Sequence, residues 1–211
     1  MFTDRIEAGR LLARKLENYR GQSGVILAVP RGGVPVAYVV AKELGLPLDL
    51  ILTKKIGHPV NREYAIGAVS LTDDFVVPHP GVSQFYIDRE VKTIRERLKE
   101  MYRKFMGDKE PESLAGKTVI VIDDGIATGN TLLGTINMLR KSKPAKIVIA
   151  VPVASDSAIQ LLSEVADELV VVLIPEEFYG VGAFYENFEQ VTDEQVIYYL
   201  DKLRRKMKEA G

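Results

Sequence analysis

The chain of 211 residues contains no cysteine and carries almost no excess of charge of either sign. Without cysteine, a disulfide framework and a thiolate metal site are excluded. Lys and Arg together number 28, against 29 for Asp and Glu. This balance gives no reason to expect nucleic acid or an anionic membrane as a partner, so any site for an anion must be local.

Long hydrophobic runs are also missing. No apolar segment approaches the roughly 20 residues that a membrane-spanning helix needs, and the opening stretch MFTDRIEAGR lacks the apolar core of a signal peptide. We therefore expect a soluble, cytoplasmic protein. Histidine is scarce as well, because only His58 and His79 occur. Both stand singly beside prolines, without the spacing of metal ligands, and we assign them no role.

What the sequence does contain is an alternation of short Val- and Ile-rich runs with segments of helical periodicity. Because the runs are apolar throughout, they predict strands covered on both faces, and therefore an α/β fold with a parallel sheet flanked by helices. The predicted strands are 25–29, 48–53, 118–122, 146–151 and 168–174, and the predicted helices are 4–19, 36–44, 83–104, 131–141 and 155–165. We expect a single domain, 1–211, with its core in about 20–53 and 115–175.

Two segments interrupt this alternation. Residues 54–82 have Gly and Pro at short intervals around strand-like pieces, which predicts a flexible insertion or small hairpin before the long helix. Residues 175–191 are rich in glycine and aromatic residues and are too irregular for a core strand, so we expect a small hood above the sheet. Thr192 and Gln195 then have the spacing of a capping box, which predicts the start of a C-terminal helix.

The most informative stretch is VIVIDDGIATGNT, residues 119–131. Asp123 and Asp124 follow a predicted strand, at the edge of a parallel sheet where ligands bind. The small residues after them offer free backbone N–H groups that lead into a helix, which suits a phosphate group. Since carboxylates accept hydrogen bonds from vicinal hydroxyl groups, the stretch predicts a site for a phosphorylated sugar. An acidic turn before a capped helix would explain DDG alone, but not the whole stretch.

A second anion site is predicted in AVPRGGVPVA, which places Arg31, Gly32 and Gly33 between the first strand and its helix. Taken alone, a tight turn with a solvated arginine explains these residues equally well. Lys54 and Lys55 end the second predicted strand, where one of them could reach the same anion, and the sequence does not decide which. The glycine-rich motifs of P-loop enzymes and dinucleotide-binding enzymes are absent from the sequence.

The stretch VIVIDDGIATGNT resembles the 5-phosphoribosyl-1-pyrophosphate (PRPP) motif of the type I phosphoribosyltransferases. An uncharacterised branch of that family is similar to this sequence in three further stretches, PRGG, KKIG and FYGVGAFY. The resemblance implies that Asp123 and Asp124 contact the ribose hydroxyls and act in catalysis. It implies a 5-phosphate site formed by Gly125, Ile126, Ala127, Thr128, Gly129, Asn130 and Thr131. It also implies a pyrophosphate site formed by Arg31, Gly32, Gly33 and Lys54 or Lys55, with a cis non-proline peptide in its loop.

The resemblance extends to the reacting base. Glu63 and Tyr64 resemble a catalytic Glu-Tyr pair in the flexible loop of adenine-type enzymes, although a surface Glu beside a half-buried Tyr is nearly as good an explanation. The stretch FYGVGAFYENF resembles the hood of the 6-oxopurine enzymes, which implies that Phe178, Tyr179 and Tyr185 are candidates for stacking on the base. An aromatic patch that packs against the last helix is the alternative.

By this resemblance, the protein is expected to be a phosphoribosyltransferase that needs Mg²⁺ and moves 5-phosphoribose from PRPP to a nitrogenous base, with purine-like acceptors before pyrimidine-like ones. Ala127 stands where hypoxanthine-guanine enzymes carry an aspartate, which argues against their proton chemistry. A homodimer is implied, with the helix from Ser83 as a contact surface. A PRPP-binding regulator without catalysis is the alternative, but we find no helix-turn-helix segment and no basic cluster apart from the tail KLRRKMK, which is more simply the solvated end of the last helix. A dehydrogenase-like or nucleotide-sugar enzyme has only the fold in its favour.

Overall fold

The computed structural model describes residues 1–209. Its main sheet has five parallel strands in the order β2-β1-β6-β7-β8, and a second sheet has three antiparallel strands in the order β3-β4-β5. The strands are β1 (Gly24–Ala28), β2 (Leu48–Leu50), β3 (Lys54–Gly57), β4 (Ala65–Val69), β5 (Asp74–Val76), β6 (Thr118–Ile122), β7 (Lys146–Val153) and β8 (Glu168–Leu173). The helices are α1 (Arg5–Lys15), α2 (Gly33–Leu44), α3 (Gln84–Met106), α4 (Asn130–Lys141), α5 (Asp156–Ser163) and α6 (Asp193–Glu209).

The main sheet is covered by helices on both faces. Alternate residues of its central strands point to opposite sides: Ile26 and Ile120 join a core with α1, α2, α3 and α6, whereas Val25 and Val119 join a core with α4 and α5. Both faces are therefore apolar, which is why these strands read as unbroken runs of Val and Ile. The predicted α/β fold with a parallel sheet flanked by helices is confirmed.

Most predicted elements appear within a few residues of their expected bounds. Strand β6 has the bounds predicted for it, while β2 ends three residues early, at Leu50. Helix α2 begins at Gly33 rather than 36, and Pro35 is tolerated in its first turn because the N–H groups there have no partner within a helix. The capping box is present: the Thr192 N–H donates to Gln195 Oε1 over 2.9 Å, and the Gln195 N–H donates to Thr192 Oγ1 over 3.2 Å.

The insertion forms the second sheet, which has one strand more than a single hairpin. Lys54 and Lys55 do not end β2, as the sequence suggested, but begin β3, which pairs antiparallel with β4. The apolar side chains of Ile56 and Ile66 are buried against the core that contains α3. This burial explains why the segment folds back on the domain.

The predicted hood is built from two distant segments. Residues 181–184 form a turn of 3₁₀ helix, and the chain that follows pairs with the N-terminal residues. The Phe2 N–H donates to the Phe184 carbonyl over 2.8 Å, and the Glu186 N–H donates to the Phe2 carbonyl over 2.8 Å. This pairing brings the start of α1 beneath the hood. Among residues 1–209, no helix has the length and apolar character needed to span a membrane.

Candidate active site

The two acids of the motif lie where β6 ends, in the middle of the main sheet. Each is partly buried, and the Asp124 N–H donates to Asp123 Oδ1 over 2.8 Å. Burial, followed by the nearby charge of Asp124, raises the pKa of Asp123 well above its ordinary value. Burial also raises the pKa of Asp124, and the Arg5 guanidinium opposes this rise. The site therefore holds two carboxyl groups whose ionisation is costly without a donor or a cation nearby.

The loop that follows the acids presents backbone N–H groups at the start of α4. Gly129 has a φ of 77°, which turns the chain into the helix. Within residues 1–209, the N–H groups from Ala127 to Thr131 have no hydrogen-bond acceptor, whereas the Ile126 N–H donates to the Val153 carbonyl over 2.9 Å. The side chains of Ala127, Thr128, Asn130 and Thr131 are exposed, and that of Ile126 is buried. This is the arrangement expected of an anion site at a helix N-terminus.

The loop between β1 and α2 lies against the acids. The Pro30–Arg31 peptide bond is cis, as the resemblance implied. A Cβ atom on Gly32 would lie 2.1 Å from Asp124 Oδ2, and one on Gly33 would lie 2.7 Å from the Ile122 carbonyl oxygen. Any larger residue at these positions would therefore displace an acid or a strand, which explains the paired glycines.

The cationic side chain of this loop points toward α6. The Arg31 side chain is 47% exposed, and its Nε lies 2.6 Å from Asp193 Oδ1. Asp193 also pairs with Lys104 of α3, at 2.5 Å. In this structure Arg31 is thus already in contact with a carboxylate.

Two of the predicted residues of the insertion pair with each other. Lys55 Nζ pairs with Glu63 Oε2 at 2.9 Å, and the Glu63 side chain is 91% exposed. The Tyr64 ring packs edge-on against both histidines, with centroid distances of 6.2 Å to His58 and 5.4 Å to His79. Nothing in the sequence indicated that the two histidines meet. Lys54, Lys55, Glu63 and Tyr64 do not line the cavity described below.

The three aromatic candidates of the hood have different surroundings. Tyr179 is 77% exposed and its hydroxyl donates to Glu177, and Phe178 packs against Phe184 with a centroid distance of 5.5 Å. Tyr185 is buried, and its hydroxyl donates to the Asp124 carbonyl over 2.6 Å. Burial raises the pKa of Tyr185 above its ordinary value, so this hydroxyl remains a hydrogen-bond donor. In the present structure the Tyr185 side chain therefore contacts the backbone of Asp124.

A residue that no motif indicated completes the site. Arg5, at the start of α1, donates from Nε to Asp124 Oδ2 over 2.9 Å, and its Nη2 lies 2.8 Å from the same oxygen. Sequence reasoning missed this contact because 119 positions separate the two residues. The sequence carries no signal that would have found it. A cavity of about 360 Å³ opens beside the pair and is lined by Arg5, Arg31, Gly32, Asp124, Phe188, Gln190 and Val191.

Comparison with known proteins finds chains of similar sequence. A "Putative phosphoribosyl transferase" of Mycobacterium tuberculosis (strain H37Rv) is 36% identical over 216 residues, which cover 100% of this chain and 49% of that protein. The chain thus spans about half the length of the curated relatives it matches at this identity.

Solved structures show the same fold. The crystal structure of TT1426 from Thermus thermophilus has a TM-score of 0.84 at 37% identity, covering 96% of this chain and 98% of that chain. A hypothetical protein from Neisseria gonorrhoeae with bound ppGpp has a TM-score of 0.51 at 15% identity, covering 100% and 97%, and shares the fold alone. Residues 3–184 match the family model of the phosphoribosyl transferase domain. The chain therefore belongs to the phosphoribosyl transferase domain family.

Proposed function

We propose that the protein transfers 5-phosphoribose from PRPP to a nitrogenous base and releases pyrophosphate. The observation that carries the proposal is the meeting of two glycine-containing loops, both suited to anions, at one acid pair. The loop 125–131 offers free N–H groups on one side of Asp123 and Asp124, and Gly32 contacts Asp124 on the other. PRPP has a phosphate at one end, a pyrophosphate at the other, and a ribose with two hydroxyl groups between them.

The 5-phosphate is assigned to the loop 125–131. Backbone N–H groups at the start of α4 would donate to its oxygens, and the positive end of the helix dipole favours a dianion there. The exposed hydroxyl groups of Thr128 and Thr131 supply further donors. The carboxylates of Asp123 and Asp124 would accept hydrogen bonds from the ribose hydroxyls, which would replace part of the hydration that these buried groups have lost.

In the proposed reaction, a ring nitrogen of the base forms a bond to C1 of the ribose while the bond from C1 to pyrophosphate breaks. The electron pair of the broken bond leaves with pyrophosphate, and the proton of the attacking nitrogen passes to water. Because positive charge develops on the sugar and negative charge on the leaving group, positioning and electrostatic stabilisation are needed more than a covalent nucleophile. The backbone of Gly32 and Gly33 and the side chain of Arg31 would receive the pyrophosphate, with Lys54 or Lys55 as a further cation.

The oxygen donors at this site fit a magnesium ion bound mainly by its ligand. Within residues 1–209, no group of three or more His, Asp or Glu side chains could hold a metal ion, and the acids of the site are Asp123 and Asp124. Mg²⁺ prefers oxygen ligands and keeps several waters, so one or two carboxylates beside substrate phosphates suffice. When bound, the ion would neutralise charge on the pyrophosphate.

The acceptor base is assigned to the hood, with a purine-like ring as the first candidate. Phe178 and Tyr179 remain the stacking candidates with accessible ring surface. Tyr185 could reach a base only if the contacts of its ring with Phe2 and Phe188, at 5.2 and 5.0 Å, opened. Glu63 and Tyr64 would approach the reacting centre if the insertion closed over it and excluded water.

We also propose a homodimer that forms along α3. Phe85 and Met101 are apolar residues of this helix, and both are exposed, by 76% and 44%. Ile94 and Leu98 of the same helix are buried in the core. The two exposed side chains therefore offer apolar area for a second copy of the chain, which sedimentation equilibrium would detect.

Calorimetric titration with PRPP and Mg²⁺, followed by a screen of bases for pyrophosphate release, tests the function. The double variant Asp123→Asn, Asp124→Asn should weaken PRPP binding by about tenfold to a hundredfold, because charge-assisted hydrogen bonds are lost. Thr128→Val should mainly reduce affinity for ribose 5-phosphate. Binding without release for any base would favour a PRPP-binding regulator. If the double variant bound ribose 5-phosphate as well as the unaltered protein does, the roles given to the acids would be wrong.

A further inference from the structure

We propose that Arg5 binds the pyrophosphate end of PRPP. This inference rests on the proposed function, because it adds a residue to the same site. Arg5 belongs to none of the segments that the sequence assigned to ligand binding, and its side chain is only 11% exposed. A buried guanidinium beside a ligand-binding carboxylate needs a reason, since both charges lose hydration there.

The guanidinium is held in one orientation before any ligand arrives. Its Nε donates to Asp124 Oδ2 over 2.9 Å, Nη2 lies 2.8 Å from the same atom, and Nη1 donates to the Glu189 carbonyl over 2.8 Å. The Cζ atom lies 4.0 Å from the ring centroid of Phe188, so one face of the group is covered. A guanidinium has five N–H groups, and these contacts within residues 1–209 use three, which leaves one on each terminal nitrogen.

The lining of the cavity beside Arg5 contains more positive than negative side chains. Its charged residues are Arg5, Arg31 and Asp124, and Arg31 also pairs with Asp193, which lies outside the lining. The other lining residues are uncharged. A cavity of this kind favours an anion, and a planar guanidinium with two free N–H groups is suited to two oxygens of a phosphate.

The position of Arg5 indicates which end of PRPP its side chain would contact. The 5-phosphate is assigned to the loop 125–131, none of whose residues lines this cavity. Gly32, from the loop assigned to pyrophosphate, does line it, and a Cβ atom there would touch the Asp124 oxygen that Arg5 contacts. Arg5 therefore lies on the pyrophosphate side of Asp124. There it would stabilise the negative charge that the leaving group acquires as its bond to C1 breaks.

A purely structural role for Arg5 predicts a different outcome, and two ligands separate the two roles. Ribose 5-phosphate shares the ribose and the 5-phosphate with PRPP but has no pyrophosphate. If Arg5 only held Asp124 in place, removing the charge of Arg5 would weaken the binding of both ligands equally. If Arg5 contacts pyrophosphate, PRPP should lose much more affinity than ribose 5-phosphate.

The experiment is calorimetric titration of PRPP with Mg²⁺, and of ribose 5-phosphate, into Arg5→Gln, Arg5→Lys and the unaltered protein. Arg10→Gln is the matched control, because Arg10 is exposed on the same helix. We expect Arg5→Gln to weaken the binding of PRPP by roughly tenfold to a hundredfold, the range for one hydrogen bond to a charged group. The binding of ribose 5-phosphate should weaken by no more than about threefold. The PRPP affinity of Arg5→Lys should lie between those of Arg5→Gln and the unaltered protein, and Arg10→Gln should bind both ligands as the unaltered protein does.

The outcomes are distinct. Equal losses for the two ligands in both Arg5 variants would overturn the role of Arg5 and leave the proposed function intact. If the unaltered protein bound neither ligand, the proposed function would fail and the role of Arg5 with it. Thermal unfolding followed by circular dichroism checks that the variants fold. Should Arg5→Gln fail to fold, the ratio of the two losses in Arg5→Lys, which keeps the charge, decides the question.

Discussion

Replacing Asp123 with asparagine should stabilise the ligand-free protein at neutral and alkaline pH, although it removes a residue proposed to bind the ribose. Burial and the charge of Asp124 raise the pKa of Asp123 well above its ordinary value of 3.8. Asparagine has almost the same shape as aspartate, and its side-chain oxygen can still accept the hydrogen bond that the Asp124 N–H donates over 2.8 Å. The substitution therefore removes a charge and little else.

The pH range and the size of the effect follow from the raised pKa. Well below the ordinary pKa of 3.8, the carboxyl group is protonated in both the folded and the unfolded chain, so its burial carries no cost of ionisation. As pH rises through the pKa of the folded state, the buried group must ionise, and the free energy of unfolding of the unaltered protein falls relative to the variant. Since Asp123 is only partly buried, we expect about 1 kcal/mol, which is less than the several kcal/mol that full burial of one ion costs.

Urea unfolding at about pH 4 and about pH 8 measures this difference. The control is Asp108→Asn, because Asp108 is exposed in the loop after α3. The difference in free energy of unfolding between Asp123→Asn and the unaltered protein should grow from the lower to the higher pH. The corresponding difference for the control should not grow. If Asp123→Asn were less stable than the unaltered protein at the higher pH, the carboxylate would be stabilised by its surroundings and the argument from burial would be refuted.

Two further substitutions test the surroundings of the acids. Gly32→Ala should weaken PRPP binding by about tenfold or more, because the added Cβ would lie 2.1 Å from Asp124 Oδ2. The control is Gly134→Ala in α4, where a Cβ meets nothing within 4 Å. It should leave PRPP binding, measured by calorimetry, unchanged and should raise the free energy of unfolding in urea by about 0.5–1 kcal/mol. Asp193→Asn should tighten PRPP binding, measured by calorimetry, by removing a carboxylate 2.6 Å from Arg31, and should change stability little because surface ion pairs contribute little. Unchanged PRPP affinity in both site variants would contradict the placement of the pyrophosphate.

The parts of the fold that could be predicted are those in which neighbouring residues share one environment. Strand β6 was predicted with its bounds because every one of its residues lies in the sheet between two apolar cores. The loop 125–131 could be proposed as a binding site for the same reason, since the glycines and threonines that would serve one ligand are contiguous there and directly follow the two acids. In both cases the relevant information lies within about a dozen residues of sequence.

What could not be predicted depends on contacts between distant segments. The assignment of Lys54 and Lys55 to the end of β2 was wrong because their strand pairs with residues 65–69, and short strands interrupted by glycine carry a weak periodic signal. The burial of Tyr185 depends on Phe2 and Phe188, and the first of these is far away in the chain. An aromatic residue in a glycine-rich segment gives no sign of whether its ring faces a ligand or a neighbour.

Asp124 illustrates how these distant contacts bear on binding. Its carboxylate is fixed by Arg5, its carbonyl accepts a hydrogen bond from Tyr185, and Gly32 packs against its side chain. Three segments of the chain thus set the position of one carboxylate before a ligand binds. Side chains that are ordered in advance lose little conformational entropy on binding, so the contacts of Asp124 should contribute more to affinity than those of an equally placed but mobile acid. The same contacts connect the hood and α1 to the ribose site, and hence a substitution under the hood should alter PRPP affinity without touching the ligand.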